Sequence, residues 1–265
     1  MTRPPLRRPL LATLVAATLA LAGCTSSAGS DPSAGSAGDE LGGELTIFAA
    51  ASLSGAFDEL AAQFGAQHPD LDVLPVTYDG SSVLATQLIE GASADVFASA
   101  DENNMAAVDE AGLATEVRPF ATNTMQIAVS PGNPKGIDGL ASLADPGLIV
   151  VTCAAEVPCG SAAHTLLDAA GVALKPASEE QNVTAVLAKV KSGEADAGLV
   201  YRTDVAAAEN TVTGVDIDGA DEATNVYPLT TLAGAGNENA ASAFVAFVLS
   251  DEGQAVLHDF GFGAP

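Results

Sequence analysis

The stretch Phe48-Ala49-Ala50-Ala51-Ser52-Leu53-Ser54 decides how the rest of the chain is interpreted. It follows the apolar segment 45–48, which predicts a strand, and it precedes a helical pattern over 55–67. Ser52 therefore stands where a strand gives way to a helix. The first helical N–H groups have no intrahelical acceptors there, and the helix dipole is positive. A serine at this place either caps the helix or contributes to an anion site, and both interpretations are open.

Strand-like and helical segments alternate along the chain, which predicts parallel sheets with crossover helices. Strands are predicted at 71–78, 94–99, 125–129, 148–151 and 197–201. Helices are predicted at 83–89, 102–111, 161–170, 183–191, 240–249 and 253–260. One plan recurs at 90–97 and 192–199, where a helix ends at glycine and an aspartate precedes a buried strand. This echo indicates two related halves.

The N-terminus has the pattern of an exported lipoprotein. Three arginines precede an apolar run over 10–21, which is too short to span a bilayer comfortably. Leu21-Ala22-Gly23-Cys24 then matches a lipobox. We therefore predict a signal peptide over 1–23, a lipid on Cys24 and a flexible tether over 24–43, rich in Ser, Ala and Gly. The predicted location is extracytoplasmic, anchored to the cell membrane.

The charge of the mature chain excludes nucleic acid as a partner. Cleavage before Cys24 removes three of the nine basic residues and none of the 34 acidic ones, which leaves a net charge of −28. Such a surface repels nucleic acid and anionic lipid headgroups. Membrane association is therefore expected from the lipid and not from a basic patch.

Two further cysteines, Cys153 and Cys159, stand close together in the segment Cys-Ala-Ala-Glu-Val-Pro-Cys. In an oxidising compartment this spacing favours a local disulfide. A metal pair is the alternative, but it lacks nearby histidine or cysteine partners.

Four turns, the opening stretch among them, share one character, since each places small or polar residues between a strand and a helix. In an open α/β sheet such turns lie at the carboxyl ends of the strands, where ligands bind. Two facing lobes would bring turns from both sides onto one ligand, which favours an anion held by neutral donors. Capping remains the alternative for any single turn. The turns contain Ser52, Ser81-Ser82, Cys159-Gly160 and Asn182-Val183.

The ordered set of motifs resembles a known family over about 45–262. The motifs are Phe48-Ala-Ala-Ala-Ser-Leu53, Gly80-Ser-Ser-Val-Leu-Ala85, the segment 91–101, Val157-Pro-Cys-Gly160 and Gly198-Leu-Val-Tyr201. They resemble the periplasmic molybdate-binding protein of ABC importers, the ModA family. The resemblance implies an α/β, two-lobed, type II periplasmic-binding-protein fold, each lobe a mixed, mostly parallel sheet flanked by helices. The implied lobes are 44–124 plus 227–265, and 125–226.

The resemblance also implies a ligand set. Ser52 and Ser81 would bind the oxyanion through hydroxyl and backbone N–H, Cys159 and Val183 through backbone N–H, and Tyr201 through its phenol. The family usually has alanine where Cys159 stands, and a shift of one residue would replace Ser81 by Ser82. The ligand would be molybdate or tungstate, with no cofactor. The protein would be a monomer that serves an ABC-transporter permease.

Other interpretations come from the same residues. Sulfate and phosphate are alternative oxyanions, and Asp79 near the Ser81 turn keeps phosphate open. An iron site would require more carboxylate, histidine or tyrosine ligands than these turns contain. A secreted hydrolase would need a histidine beside a serine, and the chain has only His68, His164 and His258 and no Gly-x-Ser-x-Gly motif. We therefore expect a binding protein and not an enzyme.

Overall fold

The structure is a computed structural model that describes residues 41–265. The predicted signal peptide 1–23, the predicted lipidation site Cys24 and residues 25–40 of the predicted tether lie outside the described residues. The described chain is an α/β fold built on two five-stranded sheets and one small two-stranded sheet.

Strands and helices alternate along the chain. The strands are β1 (Gly43–Leu45), β2 (Ile47–Ala50), β3 (Leu71–Val73), β4 (Thr77–Asp79), β5 (Val96–Ala98), β6 (Arg118–Asn123), β7 (Met125–Val129), β8 (Val150–Cys153), β9 (Ser178–Glu180), β10 (Ala197–Tyr201), β11 (Thr213–Val215) and β12 (Asn225–Thr231). The α-helices are α1 (Ser54–Gln67), α2 (Ser81–Ile89), α3 (Glu102–Glu110), α4 (Pro158–Ala169), α5 (Val183–Ser192), α6 (Arg202–Ala207), α7 (Glu238–Leu249) and α8 (Asp251–Asp259). A 3-10 turn over Ala51–Leu53 joins β2 to α1.

The first large sheet has the strand order β4-β2-β5-β12-β6. β2 is parallel to β4 and β5, while β12 is antiparallel to both of its neighbours. Side chains alternate between the two faces of a strand. Phe48 and Phe97 accordingly pack with α2 and α3, whereas Ala49 and Ala98 face a core that includes α1, α7 and α8. We call this sheet and these helices lobe 1.

The second large sheet repeats the same plan. Its order is β11-β7-β10-β8-β9, in which β8 is parallel to β9 and β10, and β7 is antiparallel to both of its neighbours. Counted from β9, its strand directions match those of the first sheet counted from β4. The fourth strand is the reversed one in both sheets, β7 here and β12 in the first sheet. Apolar residues of this sheet, α4 and α5 form one core. We call this unit lobe 2.

The predicted internal echo corresponds to a repeated structural feature. In lobe 1 the Asp95 carboxylate accepts the backbone N–H of Thr46, just before β2, at 2.7 Å. In lobe 2 the Asp196 carboxylate accepts the N–H of Ile149, just before β8, at 2.9 Å. Each aspartate therefore ties the entry of one central strand to the next parallel strand, and the two halves are related as expected.

The structure shifts the starts of two helices. α2 begins at Ser81 and not at Val83, and α4 begins at Pro158 and not at Ser161. Proline suits the first position of a helix because its fixed φ is close to the helical value and because an N–H there would have no acceptor within the helix. The strand expected over 71–78 is interrupted at 74–76, where Pro75 cannot donate to a ladder. As a consequence, Ser81 and Cys159 belong to first helical turns.

No single helix among residues 41–265 is long and apolar enough to cross a membrane. Within the described residues only α7 and α8 together meet that test by length and composition, and they are bent by 63° at the break between them. Phe244 and Phe247 of α7 are buried in the core of lobe 1.

Candidate functional site

The five residues selected from the sequence line one cavity, to which both lobes contribute. Ser52 follows β2 and Ser81 follows β4, both in lobe 1. In lobe 2, Cys159 and Val183 come after β8 and β9, and Tyr201 ends β10. Within each sheet these strands run in the same direction, so the turns at their carboxyl ends meet at one edge. The structure brings all five together.

The cavity is small. The volume open to the centre of a water molecule is about 10 Å³, which is the space of one compact group. An extended ligand such as a sugar or a peptide does not fit this closed arrangement. A cavity of about 780 Å³ in lobe 1 contains none of the five residues. The small cavity is lined by Ala50, Ala51, Ser52, Asp79, Gly80, Ser81, Ala100, Val157, Pro158, Cys159, Asn182, Val183 and Tyr201.

Ser81 has a hydroxyl proton that is available to the cavity. Its side chain is buried, and its Oγ accepts the backbone N–H of Ala100 at 2.9 Å. Because that bond uses the oxygen as an acceptor, the hydroxyl proton is available to another group. Ser82, the alternative contact, does not line the cavity. No side chain caps α2, so the first N–H groups of this helix also remain available.

Ser52 does not cap the first helix, and the capping interpretation is wrong. Neither the 3-10 turn nor α1 has a side-chain cap. Instead, Ser52 Oγ lies 3.0 Å from the hydroxyl oxygen of Tyr227 on β12. Asn123 Nδ2 also donates to that phenol oxygen over 3.5 Å. When the phenol donates to Ser52, the proton of Ser52 is available to the cavity.

Tyr227 is a site residue that the sequence analysis missed. It is fully buried, and its ring packs edge-on against Tyr201 with 6.1 Å between the ring centroids. It does not line the cavity but contacts two residues that do, Ser52 and Tyr201. No local motif marks it, because its partner Ser52 lies 175 positions away.

The hydroxyl of Tyr201 is buried and has no hydrogen-bond partner within the described part of the chain. Burial raises the pKa of Tyr201 well above its ordinary value, so the phenol keeps its proton at neutral pH. An unpaired buried hydroxyl costs about 1–3 kcal/mol. Its place in the cavity wall therefore suits a ligand that accepts a hydrogen bond.

The predicted disulfide between Cys153 and Cys159 is present, with 2.01 Å between the sulfurs. It joins the end of β8 to the first turn of α4. Pro158 has no N–H and no side chain caps this helix, so the N–H of Cys159 is its first available donor. The next residue, Gly160, has to be glycine because a Cβ there would lie 1.9 Å from the carbonyl oxygen of Ala154. The disulfide and Gly160 together hold this turn against the strand.

Val183 is the first residue of α5, and its N–H also remains available. The side chain of the N-cap residue, Asn182, accepts the N–H of Ala185 at 2.9 Å and so satisfies a later donor. The first N–H of a helix has no intrahelical acceptor. Val183 therefore presents a backbone donor at the positive end of a helix dipole.

Among the residues that the structure describes, no lysine, arginine or histidine lines the cavity. Asp79, at the end of β4, is the only charged residue of the described wall. Four of the six basic residues in 41–265 pair with carboxylates elsewhere, namely Arg118 with Glu116, Lys135 with Asp196, Lys189 with Glu180 and Arg202 with Asp216. An anion in this cavity would therefore be held by neutral donors.

Among the described residues, neither cavity serine hydrogen-bonds to a general base. A serine nucleophile needs a general base within hydrogen-bond reach. The partner of Ser52 is a phenol, and the partner of Ser81 is a backbone N–H. None of the three histidines lines the cavity. The arrangement supports binding of a small hydrogen-bond acceptor.

Two α/β lobes that enclose a compact cavity lined by strand-end donors define a solute-binding protein. Residues 45–263 match the family of bacterial extracellular solute-binding proteins, and the chain belongs to this family.

Its relatives include proteins named for molybdate. The chain is 44% identical to the molybdate-binding protein ModA of Mycobacterium tuberculosis over 257 residues, which cover 96% of this chain and 98% of that protein. The periplasmic molybdate-binding protein of Azotobacter vinelandii has a similar structure, with a TM-score of 0.73 at 22% identity over 83% of this chain and 99% of that one. The sulfate-binding protein SubI of M. tuberculosis also has a similar structure, with a TM-score of 0.69 at 20% identity over 83% of this chain and 86% of that one. These structures share the fold, although they are named for different anions.

Proposed function

We propose that this protein is the extracytoplasmic substrate-binding component of an ABC importer, and that it captures molybdate or tungstate between its lobes and delivers it to a permease. The observation that carries the proposal is the convergence of neutral donors, including the unpaired hydroxyl of Tyr201, on one compact cavity. The 44% identity to a protein named for molybdate supports the choice of ligand.

The donor set matches the needs of a desolvated dianion. Removing such an ion from water is costly unless many hydrogen bonds replace its hydration. Ser52, Ser81 and Tyr201 would each donate a hydroxyl, and Cys159 and Val183 would each donate a backbone N–H. The N–H groups of the two serines could add two more bonds. Hydrogen bonds to a charged acceptor are about twice as strong as neutral ones.

Selectivity against sulfate follows from size. The metal–oxygen bonds of molybdate and tungstate are longer than the sulfur–oxygen bonds of sulfate. Donors held by two helix starts and a disulfide cannot all move inward to a smaller ion. Each bond that sulfate leaves unmade would cost roughly 1 kcal/mol or more.

Phosphate is a second candidate, and Asp79 is the observation that favours it. A carboxylate in the wall could accept the proton of a hydrogen phosphate ion, which molybdate lacks at neutral pH. However, Asp79 Oδ1 already accepts the N–H of Gly80 and the side-chain amide of Asn182, both at 2.8 Å. Its second oxygen could still accept a proton, so the 44% identity to a protein named for molybdate is what places molybdate and tungstate first.

The proposal extends to the location of the protein. A lipid on Cys24 would anchor a monomer to the cell membrane, and the tether would let the two lobes reach the permease. The acidic body, with its net charge of −28 after removal of the signal peptide, makes binding through a basic surface implausible.

Isothermal titration of the protein without its signal peptide and lipid tests the ligand. Molybdate, tungstate, sulfate and phosphate are titrated in turn at neutral pH. We expect molybdate and tungstate to bind at least about a hundredfold more tightly than sulfate, the effect of two unmade bonds at roughly 1.4 kcal/mol each. Equal competition by sulfate would contradict the selectivity, and preferential binding of phosphate would favour the second candidate.

A further inference from the structure

We propose that Asp79 and Asn182 form a latch that closes the two lobes over the bound anion and sets the positions of the donors beside them. Asp79 lies in lobe 1 and Asn182 in lobe 2, and the Nδ2 of Asn182 donates to Asp79 Oδ1 at 2.8 Å. Both residues line the cavity. The latch deepens the proposed function and rests on it, since it acts on the same cavity.

Each latch residue stands next to a donor turn. Asp79 Oδ1 also accepts the N–H of Gly80, which directly precedes Ser81. Asn182 is the N-cap of α5 and directly precedes Val183. One hydrogen bond between the lobes therefore links the turn that presents Ser81 to the turn that presents Val183.

The orientation of the Asn182 amide is determined by its two partners. Its Oδ1 accepts the N–H of Ala185, so its Nδ2 faces Asp79. A flipped amide would lose both bonds, because an NH₂ group cannot accept from Ala185 and an amide oxygen cannot donate to a carboxylate. The same side chain thus caps the helix and bridges the lobes.

Gly80 permits this close approach. A Cβ at Gly80 would lie 2.0 Å from the carbonyl oxygen of Gln181 in lobe 2. The backbone of Gly80 has φ −59° and ψ 138°, which any residue can adopt. Glycine is therefore required by contact between the lobes and not by the local conformation.

Separation of the lobes would change the surroundings of the Asp79 carboxylate. In the closed form two donors share its Oδ1, and one of them comes from lobe 2. When the lobes part, the Asn182 donor leaves with lobe 2 and the carboxylate faces the anion site with less compensation. Like charges repel, and Asp79 lines the cavity in which the anion would lie. The latch therefore favours retention in the closed form and release from the open one.

A charge swap tests the latch. Asn182→Asp keeps a capping oxygen for Ala185 but places a second carboxylate against Asp79. The double variant Asp79→Asn, Asn182→Asp restores an amide–carboxylate pair across the cleft. Its net charge equals that of the parent protein. We expect at least about tenfold weaker anion binding for Asn182→Asp, mostly through faster dissociation.

The double variant is expected to recover to within about fivefold of the parent protein. Titration, stopped-flow dissociation and small-angle scattering with and without ligand are measured on all three proteins. The parent protein reports on the proposed function, and whichever anion it binds most tightly is used for the variants. The latch is overturned by unchanged binding in Asn182→Asp, by a double variant no better than Asn182→Asp, or by a parent protein that binds no anion. Thermal melting of each ligand-free protein confirms folding.

Discussion

The hydroxyl oxygen of Tyr227 lies 3.0 Å from Oγ of Ser52, although the two residues are 175 positions apart. Ser52 is a proposed ligand donor on lobe 1, and Tyr227 lies behind it on β12. The contact orients the Ser52 side chain. That side chain does not cap a helix, since neither the 3-10 turn nor α1 has a side-chain cap. The geometry of the first donor therefore depends on a residue outside the cavity.

Tyr227→Phe should weaken molybdate binding without removing any direct contact. The change leaves Ser52 Oγ without its phenol partner, and we expect a loss of about 1 kcal/mol, or roughly fivefold in Kd. Titration calorimetry measures it. Tyr78→Phe is the matched control, because Tyr78 bonds to Asp58 and the backbone of Ser54 and does not line the cavity. Equal effects of the two changes would contradict the role of Tyr227.

Tyr201→Phe should weaken binding without lowering the stability of the ligand-free protein. In the absence of an anion the phenol hydroxyl has no hydrogen-bond partner in the protein, so its loss should not lower the free energy of unfolding by more than about 1 kcal/mol. The complex loses a hydrogen bond to a charged acceptor, so binding should weaken by about 1.5–3 kcal/mol. Urea denaturation and calorimetry measure the two quantities. A variant that binds molybdate as well as the parent protein would remove Tyr201 from the ligand set.

Ser81→Ala and Ser82→Ala form a neighbouring pair with different expected results. Ser81 lines the cavity and accepts the N–H of Ala100, so its loss should weaken binding by roughly 1–3 kcal/mol. Ser82 has a buried hydroxyl without a partner but does not line the cavity, so its loss should leave the Kd unchanged. Calorimetry on both variants decides which serine contacts the anion; a larger effect at Ser82 would reverse the assignment.

The parts of the fold that could be predicted were those with a clear local pattern. β7 and β10 were predicted at their observed bounds because each is a short apolar run between breakers. β12 was missed because Pro228 argues against a strand, and the structure accommodates it at an irregularity between Tyr227 and Pro228. β9 and β11 have three residues each, too few for a periodic signal.

The candidate site shows the same division. Ser52, Ser81 and Val183 could be selected because each stands at a strand-to-helix turn, and the fold places such turns at one edge. The contacts of Ser52 with Tyr227 and of Asp79 with Asn182 could not be selected. They depend on which segments meet in space across 175 and 103 positions, and no local pattern records that.

Removal of the disulfide should lower stability more than affinity. In the chain-entropy model a seven-residue ring contributes roughly 2 kcal/mol, so the double variant Cys153→Ala, Cys159→Ala should lose about that free energy of unfolding. Only the backbone N–H of Cys159 is proposed to contact the anion, so the Kd should change by less than about tenfold, or roughly 1.4 kcal/mol. Urea denaturation and calorimetry measure both. A large loss of affinity with unchanged stability would show that the disulfide acts on the site itself.

Asp204 should make the stability of the protein depend on pH. Its carboxylate is buried at the start of α6 and accepts the N–H of Tyr201 at 2.9 Å. Burial raises the pKa of Asp204 from 3.8 to about 7. Between these values the folded chain holds a proton that the unfolded chain releases. The resulting stabilisation is fully present below the unfolded pKa and is lost as the pH rises through about 7.

Asp204→Asn isolates this effect, because the amide oxygen can still accept the N–H of Tyr201 but does not titrate. We expect the difference in free energy of unfolding between variant and parent to shift in favour of the variant by about 2–4 kcal/mol from about pH 4 to about pH 8. Urea denaturation at several pH values measures it. Glu180→Gln is a suitable comparison, since the Lys189 ammonium lowers the pKa of Glu180 and its titration falls at lower pH. A difference that stays constant across this range would mean that Asp204 is already ionised in the folded protein.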